Sequence, residues 1–336
     1  MGEFDLIERY FKRPAHSAGP AVALGIGDDC ALLQPAPGTQ LAISSDMLVE
    51  GRHFFSDVDP AALGHKALAV NLSDLAACGA KPLAFTLALA LPEARPAWLE
   101  PFSRGLLALA DEHHCALIGG DTTRGPLNIC ITVFGEVPIY NSKSLGLLRS
   151  GAQPGDDVYV SGTLGEARLA LEVLRGTVSV PPDVFAKARL RLERPTPRVA
   201  LGMALRGMAT AAIDISDGLL GDLAHILKAS DVGAIVQINS AIFLIANYLY
   251  RTWANGIFDG YITKEQGLTH VLAGGDDYEL AFTAPASKRD AVIAAALVAG
   301  VQITQIGQID AQPGIRLVDP QGNLQPGGYA SFDHFG

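Results

Sequence analysis

The sequence has few cysteines, and none of them belongs to a paired motif. The four cysteines are widely separated and form no C-x-x-C pair. This pattern excludes the disulfide framework of a small secreted domain. Cys78 and Cys130 lie in apolar runs, so we expect buried free thiols in a reducing compartment and a cytoplasmic protein.

Clusters of basic residues and long apolar runs are also missing. The 25 Lys and Arg residues against 35 Asp and Glu residues give a formal net charge of −10. Because no basic run stands out, the charge argues against a nucleic-acid surface. The opening Met1-Gly-Glu-Phe-Asp does not have the form of a signal peptide, and no apolar run reaches the length of a membrane span. We therefore expect no nucleic-acid partner and no membrane.

The common nucleotide-binding and hydrolase motifs are absent as well. The sequence contains no G-x-x-x-x-G-K-[ST] loop, which excludes a P-loop kinase. Gly25-Ile-Gly27 is followed by Asp28 and Asp29, whose charges would repel a pyrophosphate, so a dinucleotide fold is disfavoured. There is no G-x-S-x-G elbow, and the eight His residues are not spaced as zinc ligands.

The chain does have the length and apolar content for two cores. It has 336 residues, of which 49% are hydrophobic, and single cores stop growing at about 250–300 residues. Strand-like and helix-like segments alternate in both halves, and residues 140–148 resemble a linker. The pattern predicts two domains, residues 1–139 and 149–336, of the α/β (α+β) class, with mixed sheets and flanking helices.

Acidic residues recur at the ends of predicted strands. The strand-like Leu41-Ala-Ile43 runs into Ser44, Ser45 and Asp46, which alone favour a turn over a metal site. Asp74 lies on a predicted helix, residues 61–78, that is apolar nearly all round, where a basic partner or a cation would have to offset its charge. Several carboxylates brought together require cations, so the set favours a Mg²⁺–phosphate site. The other members of the set are Asp28, Asp29, Asp121, Asp214 and Asp217.

Six motifs in this order resemble those of the thiamine-monophosphate kinase family. They are Gly25-Ile-Gly-Asp-Asp-Cys-Ala, Ile43-Ser-Ser-Asp, Lys66-Ala-Leu-Ala-Val-Asn-Leu-Ser-Asp-Leu-Ala, Gly119-Gly-Asp-Thr-Thr-Arg-Gly, Ile213-Asp-Ile-Ser-Asp-Gly-Leu and Gly274-Gly-Asp-Asp-Tyr-Glu-Leu. The resemblance covers nearly the whole chain, to the closing Phe332-Asp-His-Phe. It implies the two-domain fold of the aminoimidazole ribonucleotide synthetase-related superfamily, an ATP site made largely without a P-loop, and a homodimer formed through the N-terminal sheets.

The resemblance also implies an activity and its residues. The activity is ATP-dependent phosphorylation of thiamine monophosphate to thiamine diphosphate, with Mg²⁺ as the metal. Matched motif by motif, the catalytic residues would be Asp74, Asp121 and Asp217. The Mg²⁺ ligands would be Asp29, Ser44, Ser45, Asp46, Asp74, Asp121, Asp214 and Asp217. ATP would contact Gly120, Asp121, Arg149 and Ser216, and thiamine monophosphate would contact His53, Asp276 and Phe332.

Three positions depart from the family pattern. The family usually has Glu where this chain has Asp276, which is one methylene shorter. It usually has Tyr where Phe332 aligns, and Tyr329 is an alternative match. The linker before Arg149 is a few residues longer than usual, which weakens the alignment of Arg149 with the family's ATP contact.

The chemistry of the acceptor predicts a simple mechanism. A phosphate monoester has a second pKa of about 6, so it is largely dianionic at neutral pH and needs no general base. Charge neutralisation and in-line placement are then the main tasks, which predicts direct transfer without a phosphoenzyme. Two alternatives remain open at this point: a related ATP-using enzyme with a different acceptor, and a non-catalytic acidic metal-binding module.

Overall fold

The structure, a computed structural model, describes residues 2–13, 19–254, 257–325 and 329. It divides into two compact units. Unit 1 comprises Met1–Leu75 and Ala80–Gly146, and unit 2 comprises Ala76–Gly79 and Leu147–Gly336. The division at Gly146 falls inside the segment that the sequence indicated as a linker. Phe332 lies outside the described residues.

Unit 1 is built around a mixed sheet. The five-stranded sheet has the order β3-β6-β4-β5, with β7 paired to the free part of β6. Strands β4 and β5 are parallel, whereas β3 and β4 are both antiparallel to β6. In chain order the elements are α1 (Glu3–Tyr10), β1 (Val22–Leu24), β2 (Leu32–Leu33), β3 (Thr39–Val49), α2 (Pro60–Ala77), β4 (Lys81–Leu91), α3 (Pro96–Glu112), β5 (Ala116–Arg124), β6 (Asn128–Tyr140) and β7 (Lys143–Ser144).

Helix α2 carries Asp74 and is buried on nearly every side. Leu68 and Leu72 are fully buried, as the apolar sequence of this segment predicted. At the start of the helix, Asp59 Oδ1 accepts a hydrogen bond of 2.9 Å from the Ala62 N–H, which caps the first turn. At Gly64 a Cβ atom would lie 2.1 Å from the Phe102 carbonyl oxygen of α3. This close approach fixes the position of α2 within unit 1.

Unit 2 is also built around a mixed sheet, of six strands in the order β15-β10-β14-β8-β13-β9. Strands β10 and β15 are parallel, and the other neighbours are antiparallel. In chain order the elements are β8 (Asp156–Ser161), α4 (Glu166–Leu174), α5 (Pro182–Glu193), α6 (Val199–Ala204), β9 (Ala211–Asp214), α7 (Leu219–Ser230), β10 (Gly233–Gln237), α8 (Ile238–Ile242), β11 (Tyr250–Ala254), β12 (Ile257–Gly260), α9 (Lys264–Ala273), β13 (Leu280–Pro285), α10 (Arg289–Val298), β14 (Ile303–Asp310) and β15 (Gly314–Val318).

Two polar segments of unit 1 are parts of strands rather than turns. Ser44, Ser45 and Asp46 lie within β3, where Ser44 pairs with Val133 and Asp46 pairs with Ile131. Residues 119–124 continue β5 beside β4. Serine and aspartate favour turns through local hydrogen bonds, but continuous cross-strand pairing overrides that preference in both strands.

Residues 241–253 do not form one helix, because α8 ends at Ile242 and β11 pairs antiparallel with β12. The aromatic and β-branched residues of β11 favour a strand. Cys78 and Cys130 are half-buried rather than buried, while Cys115 is buried. Among the described residues, no helix combines the length and hydropathy that crossing a membrane requires.

Candidate active site

A pair of carboxylates, Asp46 on β3 and Asp74 on α2, forms the centre of the candidate site in unit 1. Ser44 and Asp46 are two residues apart on one strand and so share a face. The Ser44 hydroxyl donates a short hydrogen bond to Asp74 Oδ2. The Asp46 N–H donates a 3.0 Å hydrogen bond to Asn71 Oδ1, one turn before Asp74. Strand and helix are thereby tied together at the position where their charged side chains meet.

This pair is electrostatically unfavourable without a cation. Burial, the neighbouring charge of Asp74 and a hydrogen bond to Asp74 together raise the pKa of Asp46 to about 7. Two carboxylates about 4 Å apart repel by about 4 kcal/mol at an effective dielectric constant near 20. A dication bound between them would remove that repulsion, and carboxylate and hydroxyl oxygens are the donors that Mg²⁺ prefers. The donor set therefore fits Mg²⁺.

Ser45 does not belong to this group. Alternation along β3 turns its side chain to the opposite face of the sheet. Its hydroxyl lies 3.0 Å from Thr132 Oγ1 and donates to the Ile131 carbonyl at 3.1 Å. Ser45 therefore faces away from Ser44 and Asp46, so these three predicted Mg²⁺ ligands do not share one face of the sheet.

Asp121 is also separated from the carboxylate pair within unit 1. It lies on β5, beside Ala88, at the far edge of the sheet from β3. Three strand spacings amount to about 14 Å, which is too far for Asp121 and Asp46 to bind one ion. Among the described residues, no three His, Cys, Asp or Glu side chains are grouped as metal ligands. Within unit 1, the predicted ligands Asp46 and Asp121 therefore do not share one ion.

The backbone at Gly120 makes an unusually close approach to β4. Its φ is +146°, and a Cβ atom would lie 1.8 Å from the Leu87 carbonyl oxygen, so no other residue fits. Gly120 and Asp121 are both exposed at the sheet edge. Asp29 is exposed in the bend after β1, where its N–H donates to Asp28 Oδ1 at 2.9 Å. These residues offer accessible oxygen and backbone groups.

His53 is held in the turn that follows β3. Its Nδ1 accepts a 3.0 Å hydrogen bond from the Val49 N–H. In the neutral ring this leaves the proton on Nε2, which becomes a donor. The turn thus fixes the tautomer of a residue for which the sequence predicted substrate contact.

In unit 2 the predicted residues lie at the end of β9 and in the loop that follows. Asp214 is buried at the end of the strand, paired with Leu280. Ser216 and Asp217 are half-buried in the loop before α7. Asp222, in the first turn of α7, accepts hydrogen bonds from the backbone of this loop. Burial raises the pKa of Asp222 to about 6, although those N–H groups lower it.

A second loop, residues 274–279, lies against the first. The Asp276 N–H donates to the Ser216 carbonyl at 2.9 Å, and the Tyr278 hydroxyl lies 3.2 Å from Asp276 Oδ1. Asp276 and Tyr278 have φ of +66° and +53°, in the left-handed region that non-glycine residues seldom adopt. A Cβ atom at Gly275 would lie 2.3 Å from the Ser216 carbonyl oxygen. The two loops therefore share one packed arrangement.

Buried charges that the sequence analysis did not single out support this second loop. Glu279 is fully buried and is bound by Arg191, at 2.8 Å, and by Arg198. The Gly165 N–H at the start of α4 donates a bifurcated hydrogen bond to both carboxylate oxygens of Asp277, each at 3.0 Å. Asp277 and Glu279 both belong to the motif Gly274-Gly-Asp-Asp-Tyr-Glu-Leu. Arg191 and Arg198 are distant in sequence and lie in none of the quoted motifs, so no sequence signal identified them.

The other residues for which the sequence predicted substrate contact are Arg149 and Phe332, with Tyr329 as the alternative to Phe332. Arg149 is exposed, and its carbonyl oxygen accepts a 3.2 Å hydrogen bond from the Ser230 hydroxyl. Phe332 is outside the described residues. Tyr329, the alternative match, lines a cavity of about 760 Å³ between α7 and β15, together with Leu220, Ala224 and Leu317.

The comparisons with known proteins agree with this architecture. Residues 27–137 match the family described as AIR synthase related protein, N-terminal domain, and residues 153–320 match AIR synthase related protein, C-terminal domain. The HypE hydrogenase maturation protein in complex with ATP has the same fold, with a TM-score of 0.73 at 19% identity over 98% of this chain and 95% of that chain. The fold is therefore that of the AIR synthase-related proteins.

Relatives with higher sequence identity identify one family within the AIR synthase-related proteins. Thiamine-monophosphate kinase of Escherichia coli K12 is 48% identical over 92% of this chain and 91% of its own length. The Salmonella typhimurium protein of that name is 46% identical over 99% of this chain and 98% of its own length. The crystal structure of thiamine-monophosphate kinase from Stenotrophomonas maltophilia has a TM-score of 0.79 at 45% identity, covering 89% of this chain and 91% of that one. The chain belongs to the thiamine-monophosphate kinase family.

Proposed function

We propose that the chain transfers the γ-phosphoryl group of ATP to thiamine monophosphate and so produces thiamine diphosphate and ADP. The observation that carries the proposal is the half-buried pair of carboxylates formed by Asp46 and Asp74. The two residues belong to two different family motifs, and a bound dication would neutralise their charges. The relatives support the choice of substrates. AaThiL, 28% identical with a TM-score of 0.72 over 88% of each chain, has been solved with AMPPCP and TMP.

Mg²⁺ is the proposed metal. In unit 1, Ser44, Asp46 and Asp74 would hold one ion. The exposed Asp121 would contribute elsewhere, since it lies three strands away from the pair, and the exposed Asp29 would contribute from the bend after β1. In unit 2, Asp214 and Asp217 would serve the same purpose. Bound Mg²⁺ would neutralise the phosphate oxygens during the transfer. Ser45 would contribute only from the opposite face of the sheet.

The substrate contacts are proposals that follow the motifs. ATP would contact Ser216, Arg149 and the backbone of Gly120, which no side chain covers because the residue is glycine. Thiamine monophosphate would meet Asp276, oriented by the Tyr278 hydroxyl, the Nε2–H of His53, and Phe332 or Tyr329. None of these contacts requires the protein to remove a proton, because the acceptor phosphate is largely dianionic at neutral pH.

The proposal is tested by measuring ADP release with ATP and Mg²⁺ in three parallel reactions, with thiamine monophosphate, with thiamine, and without an acceptor. We expect turnover only with thiamine monophosphate, and inversion at phosphorus when a chiral γ-phosphoryl group is used, as for a single in-line transfer. Retention would indicate a phosphoenzyme. Turnover with another acceptor would favour a related enzyme, and no turnover together with Mg²⁺ binding would favour a metal-binding module.

We also propose that the protein forms a homodimer through the outer face of the unit 1 sheet. Strand β3 leaves Leu41, Ile43 and Met47 at 40%, 60% and 52% exposed on that face. An exposed row of large apolar side chains on a sheet is typical of an interface. The homodimer proposal and the family resemblance are therefore consistent.

An Ile43→Lys variant should elute as a monomer, because the substitution places a charge in the apolar face. Light scattering coupled to gel filtration measures the mass. Leu297→Lys is a matched control, since Leu297 is 80% exposed on α10 of unit 2 and its substitution should leave a dimer intact. A wild-type protein of monomer mass would contradict the proposal.

A further inference from the structure

We propose that Asp222 is a positioning residue for the phosphoryl transfer, which holds the loop that carries Ser216 and Asp217 in its working shape. The inference rests on the proposed function, since it assumes that this loop meets ATP and Mg²⁺. The residue itself lies in the first turn of α7 and is not one of the residues that the family motifs assign to a ligand.

One oxygen of Asp222 holds three consecutive peptide groups. Its Oδ2 accepts hydrogen bonds from the N–H groups of Ser216, Asp217 and Gly218, at 3.0, 3.1 and 3.1 Å. Asp222 as a whole is 3% exposed, so water does not compete for these bonds. Hydrogen bonds from N–H groups to a carboxylate are about twice as strong as those between neutral groups. The direction of three peptide planes is therefore fixed by a single side chain.

The same loop supports the second one. Asp222 fixes the N–H groups of Ser216 and Asp217, which lie on either side of the Ser216 carbonyl. That carbonyl accepts the 2.9 Å hydrogen bond from the Asp276 N–H. The preceding Ile215 carbonyl accepts a 2.9 Å hydrogen bond from the Tyr278 N–H. A shift of the Ser216 peptide would thus displace the backbone that carries Asp276. Asp222 consequently affects both the proposed ATP–metal loop and the proposed acceptor loop without touching either substrate.

A simple role as a helix cap predicts a different result. A cap at the start of α7 would lower stability when removed but would leave affinity for ligands unchanged in the folded protein. A positioning residue changes affinity and rate in protein that remains folded. The two roles are separated by KM, which does not depend on the folded fraction, and by rates measured where every variant is folded.

The experiment compares Asp222→Asn and Asp222→Ala with an Asp157→Asn control. Asp157 is a fully buried carboxylate of unit 2, bound by Arg289 at 2.6 and 2.8 Å and by Gln305 at 2.8 Å, on a strand that carries none of the proposed contacts. Its substitution should lower the melting temperature at least as much as Asp222→Asn does. KM for ATP, KM for thiamine monophosphate, kcat and the Mg²⁺ concentration for half-maximal activity are measured well below each melting temperature. Binding of AMPPCP with Mg²⁺ is measured by calorimetry.

For Asp222→Asn we expect kcat/KM for ATP to fall about 10- to 100-fold, the range typical of residues that orient a ligand through another group. The Mg²⁺ requirement should rise, Asp222→Ala should be worse, and Asp157→Asn should be kinetically normal. Unchanged kinetic constants and AMPPCP affinity in folded Asp222→Asn would overturn the inference. A wild-type protein that binds AMPPCP but never phosphorylates thiamine monophosphate would overturn the proposed function alone, because the calorimetric comparison still decides the role of Asp222.

Discussion

An Asp74→Asn variant should lose acceptor-dependent turnover by at least about 100-fold while remaining folded. Residues that merely orient a metal ligand change affinity or activity about 10- to 100-fold, and a ligand should contribute more. Asparagine keeps the size of the side chain and can still accept the hydrogen bond from Ser44, but it removes one of the two charges available to Mg²⁺. Turnover is measured with saturating ATP and thiamine monophosphate over a Mg²⁺ series, alongside the melting temperature.

The matched control is Asp59→Asn, the same substitution at the start of the same helix. Asp59 caps α2 through the Ala62 N–H at 2.9 Å, and asparagine is as good a cap as aspartate. This control should have normal turnover. In the absence of metal, Asp74→Asn should be no less stable than the wild type, since the substitution relieves repulsion with Asp46. Turnover close to that of the wild type would show that Asp74 has only a structural role.

The mixed α/β class and the buried helix α2 were predictable from the sequence because both depend on local patterns. The apolar residues of α2 predicted a buried helix, and Asp74 within it pointed to a paired charge. The three-residue stretch from Ser44 to Asp46 was harder, because its residue types favour turns. Its strand conformation comes from pairing with β6 along the whole of β3, and that partner is more than 80 residues away in the chain.

Which residues come together in the site was predictable only in part, because this too depends on strand pairing. Motifs show which residues are candidates, but the face on which each side chain lies depends on register. Ser45 and Asp46 are adjacent in sequence and yet face opposite sides of the sheet, while Asp121 is three strands away from Asp46. The supporting groups were less visible still. Arg191 and Arg198 meet Glu279 across about 80 residues of sequence, and no local signal indicates such a pairing.

In metal-free protein, Asp46 should make the fold less stable as the pH rises from about 4 to about 7. Its pKa of about 7 in the folded state lies above the ordinary value of 3.8. Between these values the folded protein keeps a proton that the unfolded chain has lost, so the free energy of unfolding falls with increasing pH. A difference of about three pKa units corresponds to an upper bound of about 4 kcal/mol, and partial exposure to solvent reduces it.

The measurement compares melting temperatures of the wild type and Asp46→Asn across this pH range, with EDTA and with Mg²⁺. Asparagine has no proton to lose, so with EDTA the variant should become progressively more stable than the wild type as the pH rises. Groups that titrate in both proteins, such as Asp222 and His270, largely cancel in the difference. Mg²⁺ binds the ionised pair, and so it should stabilise the wild type most at high pH and diminish the advantage of the variant. Parallel curves with EDTA would mean that Asp46 has the same pKa folded and unfolded, and the argument for a cation at the Asp46–Asp74 pair would fail.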